Sequence, residues 1–496
     1  MAKRKAATEN SLPSGPENFA HLLDTRTYAA LLKSLKQPLL PSIRVNPLKV
    51  TVEDAIREWS LAYGWALKPV PYCPSGYWIE NSQAPVSQTW EHRLGQYYIQ
   101  DAASMLPAEL FDFPLQPGAL VLDMAASPGG KTTHMAARLG DRNVIVANDS
   151  SASRLTALRL VLRNWGAANT GVTCYPGQRF GDMCPGLFDA VLLDAPCSMQ
   201  GLRSTETHPV RAITAREQSG LALRQQRLLE SAVLATRPGG QIVYSTCTLS
   251  PEEDEGVIDG VLKRFGSDLQ LDDISSAMPE DARGILQDKD VTYSEEVRKA
   301  ARLWPHIYGT AGFFAARFTR LDAPAHSTTR ENMWGRQNRY ELLPHKQLAG
   351  LIQQWQDQYR FPLEEILEEH QLVVIQSGRD LHAAPNWFFG GGYFLSLSSA
   401  GLPLAELTPD GYLPAHDWMA RFESKFGSVR YLLPDEQVNL WLRGSDIPGI
   451  LEGRFSMRQV VLVSDNRGRY LGLAKILKDR LKNLLPRRVS WRMVNL

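Results

Sequence analysis

From residue 118 to residue 320, short apolar runs alternate with longer amphipathic stretches. Strand-like runs cover 119–124, 144–148, 171–175, 188–194, 241–246 and 312–318. Helical periodicity fills the gaps, most clearly at 153–164 and 214–235. Strands that are apolar along their length and spaced by helices predict a parallel sheet buried on both faces. The fold class is therefore α/β, a Rossmann-like sheet over 116–320 with helices on both faces. The pattern changes on either side. Residues 17–115 mix helical periods with Pro and Gly punctuation and read as an N-terminal α/β extension. Residues 321–333 are a polar linker and 334–404 a further α/β stretch. Residues 405–496 are short strands with turns, which predict a separate β-rich domain. Residues 1–16 read as a disordered tail.

Composition adds bounds. A chain of 496 residues exceeds a single core, so several domains are expected. No apolar stretch reaches the length of a membrane span. The basic start, Met1-Ala2-Lys3-Arg4-Lys5, lacks the apolar run of a secretory signal. Five cysteines without CxxC spacing predict neither a disulfide framework nor a metal site, and fit a reducing cytoplasm. A net charge of +1 argues against wholesale electrostatic binding of nucleic acid. The charge is uneven, however. Seven basic residues against one acidic residue over 475–496 predict a basic face on the last element, the plainer alternative being a solvated helix and tail.

The first strand of the repeat breaks into a glycine turn, Ala125-Ala126-Ser127-Pro128-Gly129-Gly130-Lys131-Thr132. Its end fits the phosphate-binding pattern GxxxxGK[ST], but Ala125 stands where the first glycine belongs. The other reading is a Rossmann-like first turn, whose small residues let the backbone approach a nucleoside. Asp149 closes the second strand, where a carboxylate can accept hydrogen bonds from ribose hydroxyls. S-adenosylmethionine binds in such a crevice without a pyrophosphate.

Two cysteines lie just past strand ends, in Asp194-Ala195-Pro196-Cys197 and Ser245-Thr246-Cys247-Thr248. Adjacent parallel strands bring such ends together at the ligand-binding edge. Buried structural thiols are the commoner fate of free cysteines. Here both sit beside Pro, Ser or Thr, which favours chemistry. After Cys247, Ser250-Pro251-Glu252-Glu253 predicts a helix start with Ser250 as cap. That helix end would favour a thiolate nearby.

These two cysteine segments, extended to Ser198 and Leu249, resemble the signatures of the RNA cytosine-5 methyltransferases, the Nol1/Nop2/Sun family. The Ala126–Thr132 turn is similar to that family's cofactor motif. Gly312-Phe313-Phe314 resembles its last-strand motif and Tyr98-Ile99-Gln100-Asp101 its pre-domain segment. The resemblance spans 20–320. It implies S-adenosylmethionine as cofactor, held by 125–131, Asp149 and Asp194. It assigns Cys247 to attack on cytosine C6, Asp194 to N3, Cys197 to release, and Lys131 to orienting Asp194 or the base. Among bacterial members, the chain resembles those acting on small-subunit (16S) rRNA or the assembled 30S subunit, at a decoding-region cytosine. A monomer in the cytoplasm is expected. The chain's end resembles a PUA-like RNA-binding domain, and 17–115 is expected to contact RNA. The competing readings are tRNA or another rRNA site as substrate, and an RNA-binding assembly protein whose catalysis has lapsed. The intact Asp194, Cys197 and Cys247 speak against lapse.

Three departures stand out. The stretch Tyr175-Pro176-Gly177-Gln178 lacks the family's carboxylate near adenine, leaving Gln178 or Asp182 as candidates. Met199 replaces a glycine two residues after Cys197, predicting a stiffer loop. Glu252-Glu253-Asp254 stands for Glu-Glu-Asn.

Overall fold

The structure is a computed structural model that describes residues 11–12, 15–81, 85–203, 212–321, 340–389, 395–427, 430–449 and 455–490. Its centre is a nine-stranded sheet. The strands are β1 (Leu120–Asp123), β2 (Val144–Asn148), β3 (Thr170–Thr173), β4 (Phe188–Asp194) and β5 (Thr236–Thr246). They continue with β6 (Leu269–Asp272), β7 (Ala301–Leu303), β8 (Phe313–Arg320) and β9 (Ser399–Ala400). The order is β6-β8-β5-β4-β1-β2-β3-β9, with β7 also on β8.

Strands β1 to β5 are parallel, as strands alternating with crossover helices predict. The expectation of a wholly parallel sheet is corrected at the edges. Strand β8 runs antiparallel to β5, and β6, β7 and β9 are antiparallel to their neighbours. An apolar run reports burial on both faces and carries no information on direction.

Alternation along the central strands sends side chains to both faces. Val121, Ile145, Leu192 and Val243 pack on α1 (Gly130–Leu139) and α2 (Leu155–Trp165). Leu122, Val146, Leu193 and Tyr244 pack on α3 (Ala215–Ala235) and α4 (Glu255–Phe265). Helices therefore cover both faces, and the carboxyl ends of β1, β2, β4 and β5 meet at one edge.

The helix expected to begin at Pro251, after a Ser250 cap, starts four residues later, at Glu255, with Asp254 in the N-cap position. The Ser250 carbonyl accepts Glu253 and Asp254 N–H in a tight turn instead. The sequence signature is present, but the buried Arg302 captures the acidic side chains. Its Nε donates to Glu255 Oε1 at 2.9 Å and its Nη2 lies 3.2 Å from Asp254 Oδ2.

The N-terminal extension carries an antiparallel four-stranded sheet of Leu67–Val70, Cys73–Ile79, Ser42–Val45 and Tyr97–Ile99, in that order. Most of the expected tail at 1–16 lies outside the described residues. The described part is ordered: Ser11–Leu12 pairs with Ile213–Thr214. The linker at 321–333 lies outside the described residues beyond Leu321.

The boundary expected at 404/405 falls inside a strand, Leu402–Thr408, of a five-stranded sheet. That sheet and the following five-stranded sheet share one apolar core containing Trp355, Trp418 and Trp441. The basic terminal stretch is a hairpin of Tyr470–Ile476 and Arg480–Asn483 rather than a helix. Its basic face is also partly neutralised, since Lys475 pairs with Asp410, Arg480 with Asp446 and Arg488 with Asp417. Among the described residues no helix is long and apolar enough to cross a membrane.

Candidate active site

The turn after β1 is shaped by one glycine. Gly129 has φ +117°, and a Cβ there would come 2.9 Å from Val161 Cγ1 on α2. Glycine therefore lets α1 start tight against α2. Beside it, Asn148 at the end of β2 donates to the Met124 and Tyr175 carbonyls, tying three strand ends together. Asp149 follows. Its Oδ1 accepts Ser151 N–H at 2.9 Å, and its Oδ2 is buried without a hydrogen-bond partner, 3.5 Å from Arg154. Asp123 at the end of β1 accepts Thr132 Oγ1–H at 2.6 Å through Oδ2. Burial pushes its carboxyl up to about 7, and nearby Asp194 adds to the effect.

Lys131, on the first turn of α1, links this turn to the cysteines. Its Nζ donates to Asp194 Oδ2 at 2.7 Å. Burial opposes its charge, but Asp194, Cys247 and Asp123 outweigh that and hold its pKa above the usual lysine value. The Phe313 ring lies 5.6 Å from Nζ. The other carboxylate oxygen of Asp194 accepts Ser245 Oγ–H at 2.8 Å from the adjacent strand. Asp194 and Ser245 are register partners of β4 and β5. That register places Cys197 and Cys247 side by side, with 3.1 Å between their sulfur atoms. The Cys247 contact, burial and the Glu253 charge raise the Cys197 pKa well above the ordinary thiol value, so Cys197 is held as a thiol.

The structure thus gathers Ala125 to Lys131, Asp149, Asp194, Cys197 and Cys247 at one sheet edge. Gln178 and Asp182 are placed differently. Both line a groove along α3 with Arg224 and Arg227. Other residues at the site gave no sign in the sequence. Arg44, fully buried, reaches from the N-terminal sheet to the Gly130 carbonyl at 3.0 Å and Thr133 Oγ1 at 2.8 Å. It also stacks on Trp165 at 4.4 Å. Burial pushes its pKa down to about 10. Cys73, Glu109 and His134 also converge, their ligand atoms all within 4.8 Å of one another. Glu109 is already shared between His134 at 2.7 Å and Arg138 at 3.2 Å, and burial pushes His134 down to about 4.

The family model for 16S rRNA methyltransferase RsmB/F matches residues 113–319, which contain this whole edge. The model for the N-terminal domain of 16S rRNA methyltransferase RsmF matches residues 16–102. Ribosomal RNA small subunit methyltransferase F of Erwinia tasmaniensis is 32% identical over 488 residues, 96% of either chain. The protein of that name from Cronobacter sakazakii is 33% identical, covering 95% of each.

The chain belongs to the RsmB/F family of 16S rRNA methyltransferases.

A methyltransferase homologue from Pyrococcus horikoshii, 31% identical, has a TM-score of 0.51 and covers 62% of this chain and 100% of its own. NSun6 from the same organism, 22% identical and determined with SFG, shares the fold at a TM-score of 0.51. As a family member the protein is an rRNA methyltransferase with S-adenosylmethionine as cofactor. The residues present fit that group. The buried Asp149 Oδ2, which accepts no hydrogen bond in the structure, is an acceptor suited to a ribose hydroxyl.

Proposed function

We propose that this protein methylates C5 of a cytosine in 16S rRNA, in the decoding region, through a covalent bond between Cys247 and C6. The observation that carries the proposal is the pair of sulfur atoms 3.1 Å apart beside the Lys131–Asp194 pair. Cytosine C5 is a weak nucleophile. Addition of the Cys247 thiolate to C6 forms a C–S bond and makes C5 enamine-like. A proton shared between the Asp194 carboxyl group and N3 neutralises the negative charge that addition creates, with Lys131 orienting the carboxyl group. S-adenosylmethionine supplies an electrophilic methyl group for C5, and Asp149 and the 125–131 turn would hold it. A base then takes the C5 proton, the C5–H pair restores the C5=C6 bond, and the C–S bond breaks. Cys197, held as a thiol, offers its proton to the departing Cys247 sulfur. The target base must leave its stack to reach these groups.

The substrate is naked 16S rRNA or the assembled 30S subunit, met by a monomer in the cytoplasm. The N-terminal sheet and a PUA-like C-terminal region supply RNA contacts, with the exposed Lys478, Lys482 and Arg487 suited to phosphates. Methyl transfer from tritium-labelled cofactor to tRNA, naked 16S rRNA and 30S subunits tests the proposal. Label should appear on cytosine of a ribosomal substrate and vanish in Cys247→Ala. Cys197→Ala should accumulate a protein–RNA adduct that Cys247→Ala never forms. Equal adduct from both variants refutes the role assignments. Label on tRNA alone overturns the substrate.

A further inference from the structure

The loop carrying Cys197 is gripped from both sides by groups that touch neither sulfur. On one side, Gln225 of α3 donates from Nε2 to the Pro196 carbonyl at 2.9 Å. On the other, the Ser198 N–H donates to Glu253 Oε2 at 2.9 Å. The same Glu253 oxygen accepts Gln225 Nε2 at 3.0 Å, so the two clamps are one unit. Glu253 and Gln225 are each fully buried. Glu253 comes from the turn that follows Cys247, so the nucleophile's own loop holds the loop of the second cysteine. Two further bonds fix that turn. Tyr244 OH donates to the Glu253 carbonyl at 2.6 Å, and the Ser198 and Thr248 hydroxyls meet at 3.0 Å.

Burying a carboxylate is costly unless its oxygens are hydrogen-bonded. Glu253 takes both donors on Oε2 while its Oε1 is buried without a hydrogen-bond partner, and burial raises its carboxyl pKa. A group held at that cost, with its bonds going to the loop that carries Cys197, is poorly explained as a general contribution to stability. It is well explained by a need to hold one thiol within reach of another. A misplacement near 1 Å at a reacting centre is enough to slow a step about 100-fold.

We propose that Glu253, with Gln225, is a positioning residue for Cys197, and that it acts in release of the covalent RNA adduct rather than in its formation. The inference rests on the covalent mechanism proposed above. Adduct formation needs the Cys247 sulfur and the Asp194–Lys131 pair, which Glu253 does not touch. Release breaks the Cys247–C6 bond and needs the Cys197 S–H on the leaving sulfur.

The test compares wild type with Glu253→Ala, Glu253→Gln, Gln225→Ala and Cys197→Ala on the methylated ribosomal substrate. Three quantities are read: steady-state turnover, single-turnover methyl transfer, and protein–RNA adduct on a denaturing gel. Glu253→Ala should lower turnover about 10- to 100-fold while single-turnover transfer stays within about threefold of wild type. Its adduct should accumulate as in Cys197→Ala. Glu253→Gln keeps an acceptor for Ser198 and Gln225 and should restore most of the turnover. Gln225→Ala removes the donor to Pro196 and should trap adduct as well, which keeps the test decisive if Glu253→Ala does not fold. Wild-type release in both alanine variants overturns the proposal. So does equal loss of transfer and turnover, or a Glu253→Gln variant as impaired as Glu253→Ala. Absence of adduct in Cys197→Ala would refute the covalent mechanism itself, a separate outcome.

Discussion

Asp194 sits between a cation and a hydroxyl, with one carboxylate oxygen on Lys131 Nζ and the other on Ser245 Oγ. Both donors come from elements that the sheet holds rigid, so the carboxylate has little freedom to turn. Replacing it with Asn keeps the shape and removes the charge. Lys131 then loses its nearest anion while burial still works against its ammonium. Asp194→Asn should lower kcat about 100- to 1,000-fold, the effect of losing one preorganised charge-stabilising group, with KM for RNA little changed. Retention of half the wild-type kcat in the tritium assay would refute a charge-stabilising role. Asp194 and the two cysteines were legible in the sequence because each lies at or just past the end of an apolar run. Arg44 and Arg302 were not, and Glu253 was legible as part of a helix-start signature but not as a clamp on the Cys197 loop. Their partners lie about 50 to 90 residues away along the chain, and nothing local marks an arginine or glutamate that will be buried.

At the scale of elements, the loop after β4 stores strain that its sequence hints at. Met199 has φ +58°, the left-handed region, where a residue with a Cβ costs about 1–2 kcal/mol. Part of that returns when glycine, with its freer unfolded chain, is put in its place. Met199→Gly should therefore raise stability by about 0.5–1 kcal/mol, read as a higher Tm in thermal unfolding. A lower Tm would mean that packing of the half-buried methionine outweighs the backbone strain. The central strands were readable because burial on both faces imposes an unbroken apolar pattern. Direction was not, as β8 shows. The start of α4 was misread for a different reason. The Ser-Pro-Glu-Glu signature is a local preference, and the buried Arg302 and the Thr246 hydroxyl, which donates to Asp254 at 2.6 Å, override it.

At the scale of the whole molecule, the C-terminal region is docked on the methyltransferase sheet by a patch of buried charge. Arg421 reaches Asp141 at 2.5 Å and the Gly166 carbonyl at 2.8 Å. Asp417 accepts from Arg163 at 2.9 Å and Arg488 at 2.6 Å. Lys49 from the N-terminal part donates to the Leu94 and Asn164 carbonyls at the same junction. None of this was visible in composition, which pointed to separate units joined by linkers. Next to Asp417 lies His416, stacked on Tyr470, its Nδ1 buried without a hydrogen-bond partner. Burial pushes its pKa down to about 3; Arg488, Lys49 and Arg163 act in the same direction, and Asp417 opposes them. The folded value lies below the free histidine value of about 6.5, so on acidification the unfolded chain takes the proton first. The stability His416 lends is complete above pH 6.5 and falls as the pH drops towards 3. From this group alone the loss between pH 7.5 and pH 4.5 is about 2–3 kcal/mol. Urea unfolding followed by tryptophan fluorescence at both pH values, in wild type and His416→Phe, measures it. Carboxylates common to both proteins cancel in the comparison. The variant should lose less stability on acidification by about that amount, because phenylalanine keeps the ring contact and has no proton to gain. An identical pH dependence in the two proteins would show that the docking does not rest on a neutral histidine, and would shift the acid sensitivity to Asp417, whose carboxyl is pushed up by burial but held below its usual value by Arg488 and Arg163.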